Sequence, residues 1–94
     1  MTKILVRGGT APEEAVVLSD SEFIDACYDT INERVEVLKN QTETANILDA
    51  LSDILELSNS ILQKENISAT SLFAHAASRR QEEGTFLDKK AIEK

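Results

Sequence analysis

Two long stretches of the chain alternate apolar and polar residues with the period of an α-helix. In the first, SEFIDACYDTINERVEVLKN, the apolar positions recur at steps of three and four, which places them on one helix face. They are Ile24, Cys27, Ile31, Val35 and Leu38. Ser19 and Glu22 have the spacing of a capping box, in which each side chain bonds the other residue's backbone N–H. We therefore predict a first helix that begins here and ends at Asn40.

The second stretch, TETANILDALSDILELSNSILQK, is apolar over a wider arc. It carries one stripe of leucines and, beside it, one of isoleucines: Leu48, Leu51, Leu55 and Leu62, and Ile47, Ile54 and Ile61. A helix with so broad an apolar surface needs more than one neighbour. A chain of 94 residues has few other elements to supply one, so we expect a second subunit to cover one stripe. Two such antiparallel hairpins would close a four-helix core.

The rest of the chain shows only short patterns. In residues 1–19 the pattern predicts an extended segment, KILVR, followed by a turn at Gly8-Gly9. Residues 12–18 fit either a helical turn or an edge strand. Thr42 is the expected cap of the second helix and Ser68 that of a third, shorter helix over residues 69–83.

The third helix is expected to turn its apolar residues inward and to stop at Gly84. Those residues are Leu72, Phe73, Ala76 and Ala77. Residues 85–94 are a tail whose Phe86, Leu87 and Ile92 are expected to dock on the bundle. The pattern predicts a single all-α domain over residues 1–94.

The composition limits the classes of partner that this chain is expected to bind. Seventeen acidic and ten basic residues give a net charge of −7, which argues against binding to a nucleic-acid backbone or an anionic membrane. No apolar run is long enough for a membrane span or a signal peptide, so we expect a cytoplasmic protein. Cys27 is the one cysteine, and its place on the apolar stripe indicates a buried structural thiol. His75 has no ligand or nucleophile at a recognisable spacing and is expected to be structural or exposed.

The order of motifs resembles the all-α nucleotide pyrophosphohydrolases of the MazG type, in particular their short phosphoribosyl-ATP pyrophosphohydrolase-like branch. The resemblance covers nearly the whole chain. It lies in Lys3-Ile4-Leu5-Val6-Arg7 with Pro12-Glu13, in Glu22-Phe23 through Leu38, in residues 51–56, and in Gly84-Thr85-Phe86.

The resemblance implies a Mg²⁺ site built from Glu-Glu-x-x-Glu on the first helix and Glu-x-x-Asp on the second. Mg²⁺ favours several carboxylate oxygens, and these spacings put them on one helix face. Here the first motif reads Glu33-Arg34-Val35-Glu36-Val37 and the second Ala50-Leu51-Ser52-Asp53, so three of the five carboxylates are absent. Hydrolysis is therefore not expected, and no cofactor is expected with it.

Arg34 stands where the resemblance implies an acid. A guanidinium repels Mg²⁺ and offers a planar fork of donors that suits phosphate. We therefore expect a small phosphorylated nucleotide to bind through the chain's few clustered cations, which are Lys3, Arg7, Arg34, Arg79 and Arg80. The alternative for Arg34 is a surface residue paired with Glu33 or Asp29.

Two other functions stay open. An active, metal-dependent nucleoside triphosphate pyrophosphohydrolase would hold Mg²⁺ on a displaced set of acids, Glu33, Asp49, Asp53 and Glu56. A structural or protein-binding bundle would keep the fold without a ligand. In each case we expect a homo-oligomer, either dimer or tetramer.

Overall fold

Residues 2–94 fold into three α-helices joined by short connections. The computed structural model describes residues 2–94, and these contain no β-strand. Helix α1 covers Asp20–Lys39, α2 covers Thr44–Lys64 and α3 covers Ala69–Glu83, after a 3₁₀ turn at Gly8–Thr10. The predicted all-α class is confirmed. Residues 12–18 form neither the helical turn nor the strand left open above, but one turn in which the Ala15 N–H donates to the Pro12 carbonyl at 3.0 Å.

The start of α1 is capped as predicted. The Ser19 hydroxyl accepts from the Glu22 N–H at 3.3 Å, and the Glu22 carboxylate accepts from the Ser19 N–H at 3.2 Å. Two N–H groups that lack partners within the helix are thereby satisfied. The carboxylate in the first turn also faces the positive end of the helix dipole.

The other two caps differ. The predicted Thr42 cap is wrong, because α2 begins at Thr44 and the residue before it, Glu43, makes no side-chain capping bond. A capping side chain reaches the first N–H groups only from the position next to the helix, and Thr42 lies one residue too early. Ser68 does cap α3, accepting from the Ser71 N–H at 3.2 Å, and Gly84 ends that helix with φ of 82°.

Helices α1 and α2 pack together as an antiparallel hairpin across a connection of residues 40–43. Small residues lie where they meet: Ala26, Cys27 and Ala50 are buried, and Thr30 is 1% exposed. The prediction of a buried Cys27 is confirmed, and burial raises the pKa of its thiol. The buried line on α1 is rotated from the predicted stripe, since Thr30 is covered while Val35 is 38% exposed. The N-terminal segment causes this shift because it covers the Thr30 side of the helix.

The two stripes of α2 have different surroundings. Ile47, Ile54 and Ile61 are half-buried. Leu48, Leu51 and Leu55 remain 61%, 48% and 48% exposed. The hairpin therefore partly covers the isoleucine stripe and leaves most of the leucine stripe exposed. That a second subunit covers the leucine stripe stays a prediction.

The third helix and the tail depart from the expected packing. Helix α3 contains no buried residue, and of its four supposedly inward residues only Leu72 is even half-buried, with Phe73 57% exposed and Ala76 and Ala77 exposed. In the tail, Phe86, Leu87 and Ile92 are 97%, 83% and 80% exposed. Both predictions are wrong for the single chain, because α1 and α2 are the only described helices that pack extensively together. His75 is exposed.

Within residues 2–94, no helix combines the length and the apolar run that crossing a membrane would need.

Candidate functional site

Residues 3–7, which we call the strap, cross one face of the hairpin. Lys3 Nζ bonds the Glu22 carboxylate at 2.8 Å, near the start of α1. In the middle of the strap, the Leu5 N–H donates to Thr30 Oγ1 at 2.9 Å. Arg7 reaches α2, where its Nε and Nη2 donate to Asp53 Oδ1 at 3.0 and 2.7 Å. The strap is thus held by bonds to both helices of the hairpin.

Thr30 anchors the strap from inside α1. Its hydroxyl donates to the Ala26 carbonyl one turn earlier at 2.6 Å and accepts the Leu5 N–H from the strap. Both roles of the buried hydroxyl are therefore used, and none of the described buried side-chain polar atoms lacks a partner. A valine of the same shape could not accept the strap's N–H.

Two arginines meet at one carboxylate where the strap reaches α2. Arg34 Nε, on α1, donates to Asp53 Oδ2 at 2.8 Å, while Arg7 binds Oδ1 of the same group. Arg34 Nη1 also pairs with the Glu33 carboxylate. The side chains of Arg34 and Asp53 are 23% and 24% exposed, so this pair is shielded more than an ordinary surface ion pair.

The two guanidinium groups set the protonation of the cluster. Hydrogen bonds from Arg34, and then from Arg7, lower the pKa of Asp53 from its usual 3.8, so it is a carboxylate at neutral pH. The Asp53 hydrogen bond in turn raises the pKa of Arg7. At the other end of the strap, hydrogen bonds from Lys3 and Ser19 lower the pKa of Glu22 to about 2.

A cleft of about 580 Å³ opens beside this cluster. Phe23, Leu57 and the strap residues Leu5 and Val6 give it apolar walls. Its polar surface comes from side chains of all three elements: Arg7 on the strap, Thr30 and Arg34 on α1, and Asp53, Glu56 and Ser60 on α2. An apolar cavity with a few convergent polar groups is the usual form of a small-molecule site.

The remaining edge of the cleft is the turn at Gly8, Gly9 and Thr10. Neither Gly8 nor Gly9 has a positive φ, and a Cβ atom built on either would meet no atom within 4 Å. The fold of this chain therefore does not require glycine at these positions. What the missing side chains do provide is access to the backbone from the cleft, a common use of glycine beside ligands.

The structure divides the predicted phosphate-binding residues into three places. Arg7 and Arg34 come together in the cleft, whereas Lys3 lies at the far end of the strap with Glu22. Arg79 pairs with Glu83 on α3 at 2.7 Å and, with Arg80 and Phe86, lines a second cavity of about 440 Å³ at the end of that helix. The five cations therefore do not form one site within the single chain.

The predicted metal-binding acids are only partly gathered. Asp53 and Glu56 line the cleft, but Glu33 and Asp53 are both ion-paired with Arg34. In the part of the chain that the structure describes, no three Asp, Glu, His or Cys side chains are grouped so as to hold a metal ion. This donor set does not fit Mg²⁺, because a fixed cation already lies between the acids that would bind it.

Among the contributors to the site that sequence reasoning missed are the anchor at Thr30 and the apolar walls of Phe23 and Leu57. Thr30 follows Ala26 and Cys27 by four and three positions, so its place beside the buried face was readable from helical spacing. No comparable pattern in the sequence marks Phe23 and Leu57 as walls of the cleft, because the cleft depends on where the strap lies.

Comparison with protein-family models, with curated proteins and with solved structures gives no match for this chain. The resemblance to the MazG type therefore stays a prediction that rests on the sequence motifs.

Proposed function

We propose that this chain is a MazG-like helical protein that binds a phosphorylated nucleotide or nucleotide-derived signal in the strap cleft without hydrolysing it. The observation that carries the proposal is the convergence of Arg7 and Arg34 on Asp53 at the edge of an apolar cleft. Guanidinium groups held in fixed orientation suit the oxygens of a phosphate. The apolar wall suits a nucleobase or sugar.

The arginines keep donors for a ligand although they are already paired. Arg7 uses Nε and Nη2, and Arg34 uses Nε and Nη1. Arg7 Nη1 and Arg34 Nη2 make no hydrogen bond to any residue from 2 to 94. A phosphate could accept from these two nitrogens while Asp53 and Glu33 continue to hold the others, so binding does not require the cluster to break.

The same cluster favours binding over metal-assisted hydrolysis. Arg34 pairs with Glu33 and Asp53, so two acids that would have to bind Mg²⁺ are already engaged by a cation. A guanidinium has no open coordination position at which a water could be activated. The alternative of an active pyrophosphohydrolase would need Glu33 and Asp53 to release Arg34 and to gather with Asp49 and Glu56 around the ion.

Oligomerisation belongs to the same proposal. Among the described residues, the chain buries only Ala26, Cys27 and Ala50 as apolar core, which is little for a domain that must fold alone. A homo-oligomer in which hairpins share a core would supply the missing burial.

Thermal unfolding against a panel of mono-, di-, tri- and cyclic nucleotides, each with and without Mg²⁺, tests the ligand. A ligand that binds only the folded protein raises the midpoint, by an amount set by its concentration relative to Kd. We expect a metal-independent rise that Arg34→Ala removes. Arg79→Ala is the matched control, because it deletes an ion-paired arginine that does not line the cleft.

Each outcome separates the candidates. A rise that survives in Arg34→Ala but is lost in Arg79→Ala would move the site to α3. A rise that needs Mg²⁺, with pyrophosphate released and the release abolished by Asp53→Asn, would establish the enzyme. No response to any nucleotide would favour a structural bundle, in which the bonds between the strap and the hairpin hold the fold without a ligand.

A further inference from the structure

The charges that line the strap cleft cancel one another. Four of the described residues in its wall are charged at neutral pH, the cations Arg7 and Arg34 and the anions Asp53 and Glu56. Glu33 does not line the cleft but pairs with Arg34, so it adds negative charge close by. The whole chain carries a net charge of −7. The cleft therefore offers hydrogen-bond donors to an anion without a net positive charge to attract it.

Glu56 is the charged wall residue that has no partner. The other three are joined by hydrogen bonds, whereas the Glu56 carboxylate makes neither a hydrogen bond nor an ion pair with any residue from 2 to 94. It stands three positions after Asp53, a spacing that keeps both residues on one side of α2. Their carboxylates, that of Asp53 first, raise the pKa of Arg7. Glu56 is thus close enough to act electrostatically on an anion that Arg7 binds.

The free donors of the cleft match a phosphate diester. Arg7 Nη1 and Arg34 Nη2 make no bond to the described residues, so each has hydrogens to donate. A phosphate diester has two non-bridging oxygens that share one negative charge, and each oxygen can accept from one guanidinium. The other cations predicted to bind phosphate lie elsewhere, Lys3 at the far end of the strap and Arg79 and Arg80 beside the second cavity. A second phosphate group would find no further cation among the described residues of the wall.

Each added charge on the ligand would meet repulsion in this cleft. A phosphate monoester carries a charge of about −1.5 to −2 at neutral pH, and a triphosphate carries more. Once the two guanidinium groups hold one negative charge, the next one faces the unpaired Glu56. In a wet cleft, two unit charges about 7 Å apart change an equilibrium constant about three- to tenfold. The cleft therefore disfavours every phosphate charge beyond the first.

We propose that the strap cleft binds a nucleotide with a single negative charge, a 3′,5′-cyclic mononucleotide whose phosphate is a diester, and that Glu56 excludes nucleotides with more phosphate charge. This ligand class rests on the proposed function and makes it more specific. The diester accepts from Arg7 and Arg34, while the base and sugar lie against Phe23 and Leu57. An unpaired charge that repels the wrong ligand is a common source of specificity. The Glu56 carboxylate can still accept a hydrogen bond from the uncharged part of the right one.

Calorimetric titration of the full chain, with a metal chelator present, tests the ligand class. The probes are the 3′,5′-cyclic monophosphates, the 5′-monophosphates and the 5′-triphosphates of adenosine, guanosine, cytidine and uridine. For the base that binds best, we expect the cyclic nucleotide to bind about tenfold more tightly than the triphosphate, with the monophosphate between them. A triphosphate that binds the wild type as tightly as the cyclic nucleotide would overturn the inference and leave nucleotide binding standing.

Glu56→Gln tests the excluding residue. It removes the charge and keeps the size of an exposed side chain, so the fold should not change. We expect the ratio of the triphosphate Kd to the cyclic nucleotide Kd to fall about three- to tenfold. Glu65→Gln is the matched control, because it makes the same change in net charge at an exposed residue that follows α2 and does not line the cleft. The control should keep the wild-type ratio. An unchanged ratio in Glu56→Gln, or an equal fall in both variants, would contradict the role of Glu56.

The salt dependence of the wild type gives an independent measurement. Salt screens the repulsion between the cleft and the charges of a triphosphate. We expect the ratio of the two Kd values to narrow as sodium chloride is raised. If the affinity for the triphosphate falls more steeply than that for the cyclic nucleotide, a net attraction holds the triphosphate, and the cleft is not balanced in charge.

Failure of the proposed function gives a different result. If no nucleotide of the panel binds, nucleotide binding itself is removed, and the ligand class with it. If the triphosphates bind best, the nucleotide site stands and only the cyclic ligand is wrong.

Discussion

Arg34 Nε lies 2.8 Å from Asp53 Oδ2, and this contact joins the two long helices at the point where the strap arrives. Arg34 and Asp53 are also positions at which the MazG resemblance implies metal-binding acids. In this chain one of the two is a cation, so the pair neutralises itself. The contact therefore serves stability in the free protein and, in the proposal made above, orients Arg34 for a phosphate.

The Asp53 carboxylate should give stability that depends on pH. Its pKa is lowered in the folded protein from an ordinary 3.8, so its contribution is fully present above about pH 4 and is lost as pH falls through the lowered value. We expect Asp53→Asn to be less stable than wild type at neutral pH, with the difference shrinking as acid is added. Urea unfolding at a series of pH values measures this. Asp88→Asn, in the exposed tail, is the control and should follow the wild-type curve.

Thr30 should hold the strap through its hydroxyl. Thr30→Val keeps the shape but leaves the Leu5 N–H without its acceptor, so we expect a loss of about 1–2 kcal/mol in unfolding free energy. Hydrogen exchange at the Leu5 amide should become faster. Thr30→Ser retains the hydroxyl and should keep that amide protected. Equal protection in wild type and Thr30→Val would show that the bond does not hold the strap.

The caps of α1 and α3 should have unequal effects on stability. Ser19→Ala removes the capping box of a helix that packs in the hairpin, and we expect it to lower the unfolding free energy by about 1 kcal/mol. Ser68→Ala removes the equivalent bond from α3, which has no buried residue. That change should reduce helical circular dichroism through fraying without moving the main transition. A shift of the main transition as large as that of Ser19→Ala would mean that α3 is packed in the folded protein.

Gly9 offers a way to separate binding from folding. Gly9→Ala meets no atom within 4 Å and no positive φ, so we expect unchanged or slightly higher stability in the absence of ligand. If a nucleotide approaches the backbone at this edge of the cleft, the variant should show a smaller rise in midpoint than wild type. Val16→Ala, outside the cleft, controls for changes near the strap. An unchanged rise would place the ligand away from the glycine turn.

Local patterns in the sequence determined the helices and most of their ends. Period and capping chemistry depend on residues within a turn of one another, which is why α1, the Ser68 cap and the Gly84 stop could be predicted. The width of the apolar arc on α2 likewise predicted that one neighbour would not cover it, and Leu48, Leu51 and Leu55 do stay exposed in the single chain. The sequence also allowed an ion pair between Arg34 and Glu33, as one of two alternatives for Arg34. Adjacent residues can form such a pair whatever the rest of the fold.

Only the tertiary structure decided what depends on how separate elements approach one another. The meeting of Arg7 with Asp53, 46 positions apart, follows from the path of the strap, as does the burial of Thr30 in place of Val35. No local signal in the sequence indicated which stripe of α2 would be covered. None indicated that α3 and the tail would remain exposed. The sequence determined these helices because their bonds close within a few residues. The strap and the cleft required the structure because their contacts join residues far apart in the chain.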